Sequence, residues 1–198
     1  MIPIERFSFP VFACALALAS GCAPERAVMA TAPIAPAAPP ADASDAERVA
    51  GLLVEADAAG EGERRDRIVV ALARSGLEAI DGSEDDPLSA WRAQSSLASP
   101  PMRGRALGRG YRRAIVEGLQ AVELEQLFLA GEAAEVAAAA RGGTPIGFLI
   151  LDRKGSTVCE TQIAPRATCR WLPSFSARYT IRLANRSEEA ASVYLVVD

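Results

Sequence analysis

From Tyr111 onward the chain is a series of short apolar runs divided by turn residues, and this texture limits the fold more than any motif does. The candidate strands are residues 112–116, 122–129, 132–139, 146–151, 156–159, 168–171, 178–183 and 193–197. Tyr179, Ile181 and Leu183 alternate with Arg178, Thr180 and Arg182, the period of a strand with one buried face. Asp152-Arg153-Lys154-Gly155 is a hairpin turn in which glycine supplies positive φ. The run 132–139, Glu-Ala-Ala-Glu-Val-Ala-Ala-Ala, is assigned as a strand, although its alanines and glutamates suit a helix equally well by propensity. Many short strands joined by such turns predict an antiparallel sandwich rather than an α/β sheet.

Residues 44–110 follow a different period. Ser44-Asp45-Ala46-Glu47 is a capping box. Val49, Leu52, Leu53 and Ala56 then share one helix face until Gly60 and Gly62 break it. A second helix is predicted over residues 63–75, with Ile68, Ala71 and Leu72 inward and Gly76 as its stop. Asp86-Pro87 is an N-cap followed by proline at the first helical position. It opens a third helix with Leu88 and Trp91 on one side, ending before Pro100-Pro101. The expected class is therefore α+β, mainly β: a small helical region at 44–110, then a β-sandwich at 111–198.

The first residues carry an address. Met1 to Arg6 is short and polar, and Phe7 to Ala19 is uncharged and mostly apolar. That run is shorter than the roughly 20 apolar residues a spanning helix needs, and it matches the h-region of a secretory signal. It ends Ala19-Ser20-Gly21-Cys22, which resembles the lipobox of bacterial lipoproteins. The resemblance implies cleavage before Cys22 and acylation of its thiol, so residues 1–21 form a removable leader. Alanine at position 19, where leucine is commoner, and Glu5 in the basic segment are the departures. Each buried methylene of an anchor contributes about 0.8 kcal/mol, so several acyl chains hold where one does not. Ala23, rather than aspartate, follows the cysteine. In Gram-negative lipoproteins this implies delivery to the outer membrane, facing the periplasm. Residues 22–43 form a Pro/Ala-rich tether that favours extended polyproline II.

Cysteine usage agrees with export. Cys14 falls in the leader and Cys22 takes the lipid, leaving Cys159 and Cys169. In an oxidising compartment these two are expected to form a disulfide. A metal pair is the alternative, but no histidine or further cysteine completes such a site. The absence of histidine also removes Ser-His-Asp and Cys-His nucleophilic sites. The single lysine, Lys154, sits in the hairpin turn, and Glu84, Asp85 and Asp86 form a polar run before a helix start. No phosphate-binding glycine loop occurs, and a net charge of −4 does not suggest a nucleic-acid partner. The expectation is a protein without catalytic residues and without a cofactor.

The second half carries a further resemblance. Phe148-Leu-Ile-Leu-Asp-Arg-Lys-Gly-Ser-Thr-Val-Cys159, Cys169-Arg-Trp-Leu-Pro173, Tyr179-Thr-Ile-Arg-Leu-Ala-Asn185 and Val193-Tyr-Leu-Val-Val197 follow one another in a familiar order. With Leu127-Phe-Leu-Ala-Gly131 before them, they resemble the bacterial pre-peptidase C-terminal domain over residues 121–198. The resemblance implies a jelly-roll-like, non-catalytic sandwich of the kind that accompanies secreted enzymes, some members binding polymers or calcium. The stretch Thr144-Pro-Ile-Gly-Phe-Leu-Ile150 lacks the acidic pair that many members carry before the turn, which counts against calcium here.

Two groups of residues remain as candidate binding features. Arg103, Arg105, Arg109, Arg112 and Arg113 lie with Tyr111 and three glycines between the two regions. Arginine forks suit an anionic envelope ligand such as a lipopolysaccharide head group or a peptidoglycan carboxylate. The competing reading, which we prefer, is a connector whose arginines pair with acids of the first helix: Asp45, Glu47, Glu55 and Asp57. Trp91, Tyr111 and Trp171 are candidates for stacking on a sugar, against the commoner role of aromatics in core or rim packing. The expected function is an envelope accessory or scaffolding module with a protein partner, the alternative being a module that binds envelope glycan or an anionic ligand.

Overall fold

The structure, a computed structural model, describes residues 43–80, 85–97, 109–143 and 145–198. The leader, Cys22 and the tether up to residue 42 therefore lie outside the described residues, as do Arg103 and Arg105.

Helix α1 (Asp45–Ala59) begins where the capping box places it, with Ser44 Oγ accepting the Glu47 N–H at 3.0 Å. That bond satisfies one of the free donors at the helix start. Its buried face is small: Ala46, Val49, Ala50, Gly51, Leu53 and Ala56. Helix α2 (Glu63–Arg74) buries Arg65, Val69, Leu72 and Ala73. Ala71, expected inward, is exposed. Val69 and Leu72 face α1, and a residue two positions on from Val69 points to the opposite side. A two-residue strand, β1 (Glu78–Ala79), follows. Helix α3 (Pro87–Gln94) is capped by Asp86, whose Oδ1 accepts the Ser89 N–H at 3.0 Å, and it buries Leu88 and Trp91.

The remaining strands are β2 (Gly110–Val116), β3 (Ala121–Phe128), β4 (Ala134–Arg141), β5 (Ile146–Leu151), β6 (Thr157–Ile163), β7 (Arg166–Trp171), β8 (Ala177–Asn185) and β9 (Ala191–Val197). They form two sheets, in the orders β1-β2-β9-β4-β7 and β3-β8-β5-β6. Every pairing is antiparallel except β1 with β2. The class is the expected one: mainly β, with helices at the N-terminal side of a sandwich.

The alanine-rich segment is a strand because of where it sits. β4 lies between β9 and β7 and is covered on both faces. Val136, Ala138 and Ala140 point into the sandwich core with Phe148, Ile150, Ile181, Leu183 and Leu195. Ala137 and Ala139 point the other way, into a second core with Leu53, Leu72, Leu88, Tyr194 and Val196. Small side chains there let α1 lie close to the sheet. Close approach is also visible at Gly51, where a Cβ would stand 2.8 Å from Arg166 Nε. β9 shows the same division: Val193 and Leu195 face the sandwich, Tyr194 and Val196 face the helices. A strand buried on both faces reads as a continuous apolar run, and this one does. The helices thus pack on the outer face of the five-stranded sheet, and the described residues from Ala43 to Asp198 belong to one compact unit.

Cys159 and Cys169 are bonded, with their Cα atoms 6.0 Å apart. Cys159 is on β6 and Cys169 on β7, which are edge strands of different sheets. The disulfide therefore reinforces the side of the sandwich along which the chain passes from one layer to the other through Ala164 and Pro165.

Candidate functional site

The arginine segment is a strap in the folded protein as far as it is described. Arg109 Nε donates to Asp198 Oδ2 at 2.7 Å, and its Nη2 lies 3.6 Å from Asp45 Oδ2. One guanidinium therefore joins the end of β9 to the start of α1. Arg113, on β2, reaches Asp85 at 3.2 Å and Ser192 Oγ at 3.3 Å. Arg112 is half-buried and also partnered. Pairing of Arg109 with Asp45 is the connector geometry described above, and it directs this fork inward.

The three aromatics do not meet. Tyr111 is fully buried under α3: its hydroxyl accepts the Leu88 N–H at 3.0 Å and donates to Asp86 Oδ1. Burial, reinforced by the Asp86 carboxylate, pushes the phenol well above its ordinary pKa. Burial alone would raise Asp86, but hydrogen bonds from Ser89 and Tyr111 outweigh it and hold the carboxyl below its usual value. Trp91 is buried beside Tyr194, ring centroids 6.3 Å apart, in the core between helices and sheet. Trp171 packs at the sandwich end against Phe128 at 4.7 Å and Tyr179 at 5.5 Å. Its Nε1–H is buried without a hydrogen-bond partner among the described residues. A sugar-stacking platform of Trp91, Tyr111 and Trp171 is thus not assembled, because two of the three rings fill the helix–sheet core and the third serves the other core.

Sequence reasoning did not single out the end of the sandwich beyond Trp171. Here the turn after β3, the loop after β7 and the turn after β5 come together. Gly131 N donates to Pro173 O at 2.9 Å, and Ala130 N donates to Ser176 Oγ at 2.9 Å. Asp152 Oδ1 accepts from the Lys154 and Ser156 N–H groups at 2.8 Å each, which fixes the third turn. Leu127, Leu129, Leu172 and Phe175 stand out at this end, 51%, 48%, 66% and 79% exposed. Shallow grooves run between them. One of about 450 Å³ lies between Asp152, Arg153 and Lys154 on one side and Phe175 on the other. Another, of about 560 Å³, lies between Leu127–Leu129 and Asp198. The signal available in the sequence was Leu172-Pro173-Ser174-Phe175, two large apolar residues in a segment with proline at its centre.

The second exposed surface is the outer face of the four-stranded sheet. α1 packs on β4, β9 and β7 of the other sheet. On this one, Glu123 pairs with Arg182 at 3.8 Å and Glu125 with Arg178 at 3.9 Å. Half-buried Leu149 and Leu151 lie beside them in register. Among the described residues no three His, Cys, Asp or Glu side chains converge to hold a metal ion, and no helix is long and apolar enough to cross a membrane.

No family model and no curated protein matches the sequence. Among solved structures, similarity is found to the pre-peptidase C-terminal domain of a Bacillus anthracis collagenase, at 6% identity and TM-score 0.41, covering 46% of this chain and 89% of that one. PliG of Aeromonas hydrophila, a periplasmic inhibitor of g-type lysozyme, aligns at 12% identity and TM-score 0.36 over 48% of this chain and 93% of its own. The Yersinia pseudotuberculosis-derived mitogen aligns at 11% identity and TM-score 0.36, over 46% and 84%. Likeness at this level carries no functional information.

Proposed function

We propose that the protein is a lipid-anchored envelope lipoprotein, acylated on Cys22, that acts as a non-catalytic accessory or scaffolding module for an envelope protein partner. The observation that carries the partner role is the asymmetry of the sandwich. The five-stranded sheet is covered by the protein's own helices, while the four-stranded sheet presents Glu123, Glu125, Arg178 and Arg182 around half-buried Leu149 and Leu151. A mixed face of paired charges about apolar side chains has the makeup of a protein contact, with charges to set specificity and apolar area to hold. The anchor reading is supported by the leader and lipobox of the sequence, and the disulfide accords with an oxidising compartment outside the cytoplasm. The outer membrane, with the domain facing the periplasm, is the location this implies. On this reading the sandwich serves as a pre-peptidase C-terminal-like module beside other envelope proteins.

The test is capture from detergent-solubilised envelope by residues 38–198, compared with the double variant Arg178→Glu, Arg182→Glu. A stoichiometric partner lost from the variant supports the scaffold. The alternative is a module that binds peptidoglycan or an anionic head group. It predicts pelleting with insoluble peptidoglycan that disappears when Arg103, Arg105 and Arg109 are replaced together. Because Arg109 also holds Asp45 and Asp198, that triple variant needs an unchanged melting profile to count.

A further inference from the structure

The end of the sandwich where the tether joins the fold is also the end that exposes bulky apolar side chains. We infer that this end docks on the bilayer surface: Leu129, Leu172 and Phe175 enter the lipid–water boundary, and Arg153 and Lys154 meet anionic head groups beside them. The inference rests on the lipid-anchor reading, which brings this end of the domain to a membrane.

Three observations converge. The apolar residues are on turns pinned to one another, through Gly131 N to Pro173 O and Ala130 N to Ser176 Oγ, so the tips are held in place before any contact. Single exposed apolar residues are ordinary on a protein surface, but several gathered on adjoining turns form a patch that marks an interaction. Second, the chain enters the described fold at Ala43, and Asp45 is bound through Arg109 to Asp198. Asp198 exchanges backbone hydrogen bonds with Glu135, and Ala134 is in register with Trp171, the residue before Leu172. The entry point of a chain anchored at Cys22 therefore lies at the apolar end, while exposed Leu119 sits in the turn before β3 at the opposite end. Third, Arg153 and Lys154 are exposed and have no acidic partner among the described residues, whereas Asp152 beside them is occupied by backbone N–H groups. Apolar tips flanked by unpaired cations fit a surface that is apolar within and anionic at its boundary. The segment between Cys22 and Ala43 adds effective concentration to an affinity that this end of the domain has by itself. Docked in this way, the strands stand on the bilayer and the open four-stranded sheet faces sideways, toward a partner in the same membrane.

The test uses residues 38–198, which contain both cores and lack Cys22, in cosedimentation with vesicles of phosphatidylethanolamine and phosphatidylglycerol and, separately, of phosphatidylcholine. The expected result is pelleting with the anionic vesicles, reduced about tenfold or more by Leu172→Glu with Phe175→Glu and unchanged by Leu119→Glu. Arg153→Glu with Lys154→Glu should weaken binding to the anionic vesicles and leave any binding to the neutral ones as it was. The inference is overturned if the unaltered domain stays in the supernatant with both vesicle types, or if the Leu172/Phe175 variant pellets as well as the parent. It is also overturned if that variant keeps its vesicle binding and instead loses a captured protein. The anchor reading fails separately, on the N-terminal chemistry of the full chain: an unacylated Cys22 together with vesicle binding would sink the anchor and leave the docking surface standing.

Discussion

Opening the Cys159–Cys169 bond removes the cross-link between edge strands β6 and β7, leaving the short connection through Ala164 and Pro165 to join them. The half-cystines are 10 residues apart in sequence. For a loop of that length the chain-entropy relation gives about 2.7 kcal/mol at 25 °C. Replacing both by alanine also deletes sulfur atoms from a packed site, where Cys169 is 1% exposed, so the double variant should lose somewhat more than simple reduction. For a unit of this size each kcal/mol moves the midpoint by about 2–4 °C, which predicts a fall of about 5–11 °C. The assay is thermal unfolding of residues 38–198 followed by circular dichroism, with and without reductant, beside Cys159→Ala, Cys169→Ala. The double variant should melt somewhat below the reduced parent and should not respond to reductant. Amides of edge strands β6 and β7 should lose exchange protection first, while β4 and β9, central in their sheet, keep theirs. Oxidised and reduced parent melting within about 1 °C of each other would refute the reasoning, since the relation then misjudges what the bond constrains.

Other consequences can be checked on the same unit. Tyr111→Phe leaves the Leu88 N–H buried without its acceptor and should cost about 1–3 kcal/mol in urea unfolding; a neutral result would mean that α3 is not held by that hydroxyl. Asp86 has a depressed pKa, so the stability it contributes is present above its unfolded value of about 3.9 and is lost as pH falls through the folded value. Asp86→Asn should therefore flatten the acid limb of the stability curve below about pH 4, and an unchanged limb would count against the assignment. Gly118→Ala would place a Cβ 2.0 Å from the Glu188 carbonyl oxygen, a backbone atom that cannot step aside alone, and should cost about 2 kcal/mol or more in the same urea assay. Leu53→Ala should destabilise by about 2–5 kcal/mol in a single transition seen by helical and aromatic signals together, because Leu53 shares its core with Tyr194 and Val196; separate transitions would show that the helices are not part of the sandwich unit.

Much of the fold is legible wherever a local rule acts alone. The capping box fixes the start of α1, Asp86-Pro87 fixes the start of α3, and Asp152 with Gly155, at φ 79°, fixes the turn after β5. Alternation identifies β8, whose Tyr179, Ile181 and Leu183 are buried as expected. Legibility fails where a second layer intervenes. The 132–139 run has no alternation because helices cover the far face of its sheet, so both sides of β4 are dry. The same layer takes Trp91 and Tyr111 out of consideration as surface aromatics, and nothing in their own spacing announces it. β1 is too short to carry a period, and it exists because Ile80 N and Glu78 N find carbonyls at Tyr111 and Arg109. Among the candidate site residues, the disulfide pair could be read from export and parity alone. The inward role of Arg109 was readable as one of two alternatives. The apolar end was not read, because Leu129 lies on a different turn from Leu172 and Phe175, and only the pairing of β3 with β8 brings the two turns together.

The central claim is anchorage of this module by lipid on Cys22, and its most direct test is intact-mass and peptide mass spectrometry of the full chain recovered from cell membranes. The account predicts a mature chain that begins at Cys22 and carries the added mass of more than one acyl group, with Cys22→Ser released to the soluble fraction. A mature chain beginning at another residue, or one with Cys22 present and unmodified, would contradict it.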